Sequence, residues 1–133
     1  MEIKRNKDKK FDISLSKADK FEQEFCQLFS EKKIELKTEC DWWQKTGNIC
    51  IELSDSGKPS GITSTEADYW AHELRDGETT VCYMVFPVEI LKKIVDKSGK
   101  KRNGIGDGGR IEAVLLPIKK VFEQFMKGKE DNV

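Results

Sequence analysis

Apolar and polar residues alternate most cleanly over Ile34-Glu35-Leu36-Lys37-Thr38-Glu39. Period two is the signature of a half-buried strand. Ile34 and Leu36 fall on one face, and Glu35, Lys37 and Glu39 on the other. A second alternating stretch is Gly47-Asn48-Ile49-Cys50-Ile51-Glu52-Leu53. There Ile49, Ile51 and Leu53 take the apolar face, opposite Asn48, Cys50 and Glu52. Paired as a hairpin, the two strands would bring Glu35, Lys37 and Glu52 together. Two carboxylates and an ammonium converging on a sheet suit a divalent cation and an anionic substrate. Glu-x-Lys is also common on ordinary solvated strand faces, so its neighbours must decide.

The rest of the chain supplies further elements. Phe11 to Leu15 alternates and predicts a short strand. Ser16 then offers an N-cap for a helix over 17–30. Its apolar arc holds Ala18, Phe21, Phe25, Cys26, Leu28 and Phe29. Glu22 falls inside that arc, where a carboxylate is paired or metal-bound, or else reaches water from the edge. Residues 55–61 form a turn cluster. Thr63-x-x-Glu66 reads as a capping box opening a helix over 64–75, with Ala67, Trp70, Ala71 and Leu74 inward and His72 at the surface. Val81 to Phe86 predicts a buried strand, and Pro87 opens a helix carrying Ile90, Leu91, Ile94 and Val95. KSGKKRNGIGDGGR, residues 97–110, has no periodicity and predicts a flexible basic loop. Ile111 to Leu116 predicts a strand, and Pro117 starts a last helix with Val121, Phe122 and Phe125. Residues 1–10 read as a charged tail and 11–133 as one domain. The order implies an α+β fold, a mixed β-sheet flanked by helices.

Composition narrows the chemistry. The chain has 133 residues, suited to one core. Its 24 basic and 24 acidic residues cancel, so a polyanion would have to meet a local basic patch. No apolar run reaches membrane-spanning length and no leader-like segment opens the chain, which predicts a cytoplasmic protein without membrane partners. Four cysteines without a Cys-x-x-Cys pair, and a single histidine, argue against a structural zinc site. Trp42 and Trp43 can stack on bases or pack under the sheet.

A family resemblance rests on the motifs together. Ile34-Glu35-Leu36-Lys37-Thr38-Glu39 is followed by Thr46-Gly47-Asn48-Ile49-Cys50-Ile51-Glu52. Next comes Gly57-Lys58-Pro59-Ser60-Gly61-Ile62-Thr63-Ser64-Thr65-Glu66-Ala67-Asp68-Tyr69-Trp70. In this order, over residues 11–75, the chain resembles the PD-(D/E)xK nuclease superfamily and its small phage-type members. The resemblance implies a restriction-endonuclease-like core and Mg²⁺- or Mn²⁺-dependent hydrolysis of DNA, with branched or structured DNA, and RNA, left open. It also implies a host-cell cytoplasmic setting if phage-encoded, and leaves a homodimer open. Glu35 would be the metal-binding carboxylate, Lys37 its lysine and Glu22 the helix glutamate. The usual aspartate strand does not precede Ile34. Asp12 lies before the helix instead, and Glu52 is the physical candidate for the missing ligand. Lys58, Ser60, Lys100, Lys101 and Arg102 would meet nucleic acid. The rival expectation is a catalytically degenerate nucleic-acid-binding domain or an interaction protein of the same fold.

Overall fold

A computed structural model describes residues 15–127. The chain divides into two compact units, residues 1–32 and 33–133. The predicted strand before Leu15, the tail and Asp12 lie outside the described residues.

In the first unit, helix α1 runs Leu15–Ser30. Ser16 lies within it rather than at its cap. Phe21, Phe25 and Phe29 recur every four residues along one side, and all three are more than half exposed. Phe25 and Phe29 meet edge to face at 5.3 Å. Glu22 is exposed.

The second unit is built on two sheets. Strands β1 (Ile34–Cys40), β4 (Tyr69–Asp76) and β5 (Thr79–Pro87) form one, in the order β1-β4-β5. Strands β2 (Asn48–Asp55), β3 (Lys58–Pro59), β6 (Lys100–Ile105) and β7 (Ile111–Pro117) form the other, in the order β3-β2-β7-β6. The first sheet is mixed: β1 runs parallel to β4, and β5 antiparallel to it. The second is antiparallel throughout. Helix α2 (Trp42–Thr46) links β1 to β2, and helix α3 (Val88–Ser98) follows β5. The α+β class therefore holds, with a second sheet that the sequence did not reveal.

The core fills the space between the sheets and α3. Ile49, Ile51, Val114 and Leu116 come from the antiparallel sheet, Trp70, Leu74 and Phe86 from the mixed one, and Leu91, Ile94 and Val95 from α3. Val121 completes it from a short 3₁₀ segment. Trp43 packs against this core and donates its indole N–H to Arg75 O at 2.8 Å.

Several expectations are corrected. β1 and β2 do not form a hairpin; β1 pairs in register with β4, from Ile34 opposite Tyr69 to Cys40 opposite Arg75. The segment expected to be a helix over 64–75 is largely β4. Its Thr63 and Glu66 do not cap a helix, since a 3₁₀ turn over Gly61–Thr63 leads into extended chain. Trp70, His72 and Leu74 share one strand face, so the spacing that mimicked a helix is also period two. His72, expected at the surface, is 1% exposed. The basic segment is a strand, β6, followed by a glycine-rich turn, rather than a loop. Among the described residues after Pro117, short 3₁₀ turns at Ile118–Lys120 and Glu123–Phe125 stand in place of the last helix.

Candidate active site

The charged face of β1 turns toward the core side of its sheet. Opposing residues on paired strands share a face, so Glu35 stands beside Trp70, Lys37 beside His72 and Glu39 beside Leu74. Leu36, placed on the apolar face by the sequence, is instead 54% exposed. At the rim of the core, Lys37 Nζ lies 3.1 Å from Glu35 Oε1 and 5.8 Å from the centre of the Trp70 ring. A cation over an indole face is attracted by the ring's quadrupole. The other Glu35 oxygen, Oε2, accepts the Thr65 hydroxyl.

Deeper in, a hydrogen-bonded chain fixes Glu39. Trp70 Nε1 donates to His72 Nδ1 at 3.2 Å. An indole N–H can only donate, so Nδ1 carries the lone pair and Nε2 the proton. His72 Nε2 therefore donates to Glu39 Oε1 at 2.9 Å. The same oxygen accepts the backbone N–H of Cys50. Next to Cys50, β2 has β7 on one side only, because β3 reaches no further than Ser54 and Asp55. Glu39 thus satisfies a strand-edge donor on one sheet and a buried histidine on the other, and ties the sheets together.

Cys50 and Glu52 alternate with the core residues Ile49 and Ile51, and so leave β2 on the face opposite them. Lys37, Glu39, Cys50, Glu52, Trp70 and His72 line one cavity of about 190 Å³. Burial, then the carboxylates of Glu39 and Glu52, push the Cys50 thiol up to about 11. Glu52 is set by an unusually close turn. Gly61 has a φ of +55°, and a Cβ there would fall 2.2 Å from Glu52 O, so this approach excludes any side chain.

The residues singled out by the sequence are thus partly united. Lys37 and Glu52 share the cavity, and Glu35 is ion-paired to Lys37. Glu22 stands on α1 in the first unit. Lys58 is exposed, while Ser60 Oγ is buried without a hydrogen-bond partner among the described residues. β6 divides the basic cluster. Across the antiparallel sheet, Lys100 follows Cys50 and Leu115 in one row, and Arg102 follows Glu52 and Ala113 in another. Lys100 and Arg102 therefore share the Cys50–Glu52 face, and Lys101, in the row of Ile51 and Val114, takes the opposite one. Sequence reasoning put Glu39 on the face of Lys37 and Cys50 on that of Glu52 without giving either a part in the site, and missed Thr65, Trp70 and His72 as neighbours. The period-two pattern of residues 69–75 was the available signal.

Glu35, Glu39 and Glu52 are hard oxygen donors, the chemistry that Mg²⁺ and Mn²⁺ prefer. Among the described residues no group of three or more His, Cys, Asp or Glu side chains stands close enough to enclose a metal ion. A closed protein cage is therefore absent among the described residues, and both oxygens of Glu35 are engaged, by Lys37 and by Thr65. Among the described residues no helix is long and apolar enough to cross a membrane. No family profile, curated protein or solved structure matches the chain.

Proposed function

We propose that this cavity is the hydrolytic centre of a metal-dependent DNA nuclease, built on a restriction-endonuclease-like core. One observation carries the reading: Lys37 and Glu52, from strands of different sheets, line one cavity, and Lys37 is ion-paired to Glu35 beside it. Carboxylates and a lysine in one place match the needs of phosphodiester hydrolysis, where negative charge grows on the phosphate and a water must be activated. Glu35 and Glu52 are the residues to hold Mg²⁺ or Mn²⁺, which when bound acidifies water and polarises phosphate oxygen. Lys37 moves its ammonium from Glu35 toward the phosphate and offsets the developing charge. Glu39, immobilised by His72 and Cys50, keeps β1 and β2 at the spacing the site needs. Lys100 and Arg102 meet the nucleic-acid backbone on the face of Glu52. Glu22 enters only through the resemblance, as a third carboxylate.

The test is cleavage of supercoiled, linear, single-stranded and four-way-junction DNA with Mg²⁺, Mn²⁺ or EDTA. Cleavage is expected with either cation, and is expected to vanish in Lys37→Ala and Glu35→Gln. Glu22→Gln tests the helix glutamate separately. Wild-type turnover by Lys37→Ala would remove this residue from the reaction.

A second reading is favoured by the engagement of both Glu35 oxygens and by the lack of a three-residue metal group among the described residues. On that reading the domain binds nucleic acid or a protein without hydrolysis. DNA binding that neither cation converts to cleavage is its expected signature.

A further inference from the structure

A second concavity adjoins the first. It measures about 510 Å³, within the range of small-molecule sites. Trp42 forms a wall, Asn48 lies beside it, and Ile105 and Leu115 are apolar residues of its lining. Glu39 and Cys50 line this groove and also the cavity of Lys37 and Glu52, so the two spaces are neighbours.

Three features give the groove its chemistry. Trp42 is 71% exposed, although an indole is among the most costly side chains to leave in water. The backbone of α2 holds it there: Thr46 Oγ1 caps Trp42 O at 2.9 Å, and Gly47, with a φ of +73°, ends the helix by donating to Trp43 O at 2.8 Å. Its neighbour Trp43 takes the opposite fate, packed on the core with its N–H satisfied. Lys45 Nζ stands 5.2 Å from the centre of the Trp42 ring. An aromatic plate with a cation at its face and an apolar floor fits a flat heterocycle attached to an anion. The Asn48 amide, donor and acceptor at once, fits the polar edge of that heterocycle. Lys100, in the row of Cys50 and Leu115, adds a second positive charge on the same face.

We propose that this groove takes an unpaired nucleobase of a nucleic-acid strand, stacked on Trp42, while the strand's backbone crosses Lys45 and Lys100 toward the Lys37–Glu52 cavity. The inference rests on the nuclease reading only for the use of the Lys37–Glu52 cavity. It sharpens the reading by naming the substrate as single-stranded or locally unpaired nucleic acid. A base inside a duplex has both faces covered by its neighbours and cannot present one to an indole without leaving the stack.

The test uses the full chain in EDTA, so that binding is read without hydrolysis. The probes are a short oligothymidylate and a blunt duplex of equal charge. Wild type is expected to bind the single strand more tightly, with quenching of tryptophan fluorescence. Trp42→Ala is expected to weaken single-strand binding by about 5- to 150-fold, the span of one base–aromatic stack. Trp42→Phe is expected to retain most of the affinity and to lose the quench, because Trp43 and Trp70 are covered. Because Trp42 is exposed, both variants should fold, and circular dichroism checks this. Unchanged oligothymidylate affinity in Trp42→Ala would overturn the proposal. So would a change of oligomeric state without a change of affinity, which would make the groove a contact between copies. Cleavage of duplex with a silent Trp42 would sink this inference and leave the nuclease reading standing. Trp42-dependent single-strand binding without cleavage by Mg²⁺ or Mn²⁺ would uphold it and sink the hydrolytic reading.

Discussion

β1 and β2 have the same kind of sequence and opposite fates. Both alternate, β1 with Ile34 and Leu36 and β2 with Ile49, Ile51 and Leu53 at every second position. β2 buries Ile49 and Ile51 completely. β1 leaves Leu36 more than half exposed and turns Glu35, Lys37 and Glu39 inward. The difference comes from their partners. β2 pairs with β7 along its length and with the two-residue β3 only at its far end, and its apolar side joins the core shared with α3 and the mixed sheet. β1 is an edge strand whose inward neighbours, Trp70 and His72, supply a cation–π face and a hydrogen-bonding histidine. Inward charges are tolerated there because each is partnered. Alternation separates two faces; it does not say which one the core will take.

Substitutions should break or sharpen this contrast. The largest effect is expected from matched truncations. Ile51→Ala should cost about 2–5 kcal/mol of folding stability, as a cavity in a closed core. Leu36→Ala should stay within about 0.5 kcal/mol, as an exposed site. Urea denaturation of both measures the pair, and comparable losses would mean that β1 is covered in solution.

The chemistry of the cysteines comes next. Cys26, Cys40 and Cys82 are exposed, whereas Cys50 is half-buried between two carboxylates. With its thiol raised from 9.0 to about 11, Cys50 should alkylate about 100-fold more slowly than an ordinary thiol at mildly alkaline pH. Peptide mass mapping after iodoacetamide reads the order. The same shift has a stability sign. The folded state keeps the proton that the unfolded chain releases, so stabilisation is full below pH 9 and is lost as pH rises toward about 11. Cys50→Ala should flatten that alkaline limb.

Glu39→Ala tests the tie between the sheets. It strands His72 Nε2 and the Cys50 N–H, for an expected loss of about 1–3 kcal/mol. Amide exchange at Cys50 should accelerate beyond what the change in global stability explains. Unchanged protection would show that the edge of β2 is held by other means.

On the opposite face, Glu73 is buried and held below the ordinary carboxylate range by the hydroxyls of Thr80 and Thr38, with Tyr83 and Arg75 adding to it. Its contribution is present above the ordinary glutamate range and lost as pH falls through the lowered value. Glu73→Gln should make acid unfolding less steep, as followed by circular dichroism.

The smallest effect separates the lysines of β6. If the nuclease reading holds, Lys100→Ala and Arg102→Ala should each lower the salt slope of DNA binding by roughly one unit. Lys101→Ala, on the other face, should leave it unchanged. Equal slopes for all three would mean that DNA does not follow the Glu52 face.

By itself, the sequence determined local conformation where local physics is strong. The α1 helix, the alternating β1 and β2, the proline-opened α3 and β7 were all legible. So was the juxtaposition of Lys37 with Glu35, because two residues apart on a strand means the same face. The run Val81 to Phe86 was legible as a strand, but of the buried strand expected only Phe86 is buried, and Val81, Tyr83 and Val85 are exposed. Residues 69–75 were misread because Trp70, Ala71 and Leu74 satisfy a helical stripe, while Trp70, His72 and Leu74 satisfy a strand equally well. Only pairing with β1 and β5 chooses, since strand hydrogen bonds come from distant partners. Tertiary structure alone decided that Lys37 and Glu52 meet across two sheets rather than one hairpin, and that Glu39 and His72 join them. It also decided that Trp42 faces solvent while Trp43 enters the core. These facts depend on register and on which face meets the core, and no local pattern carries that information.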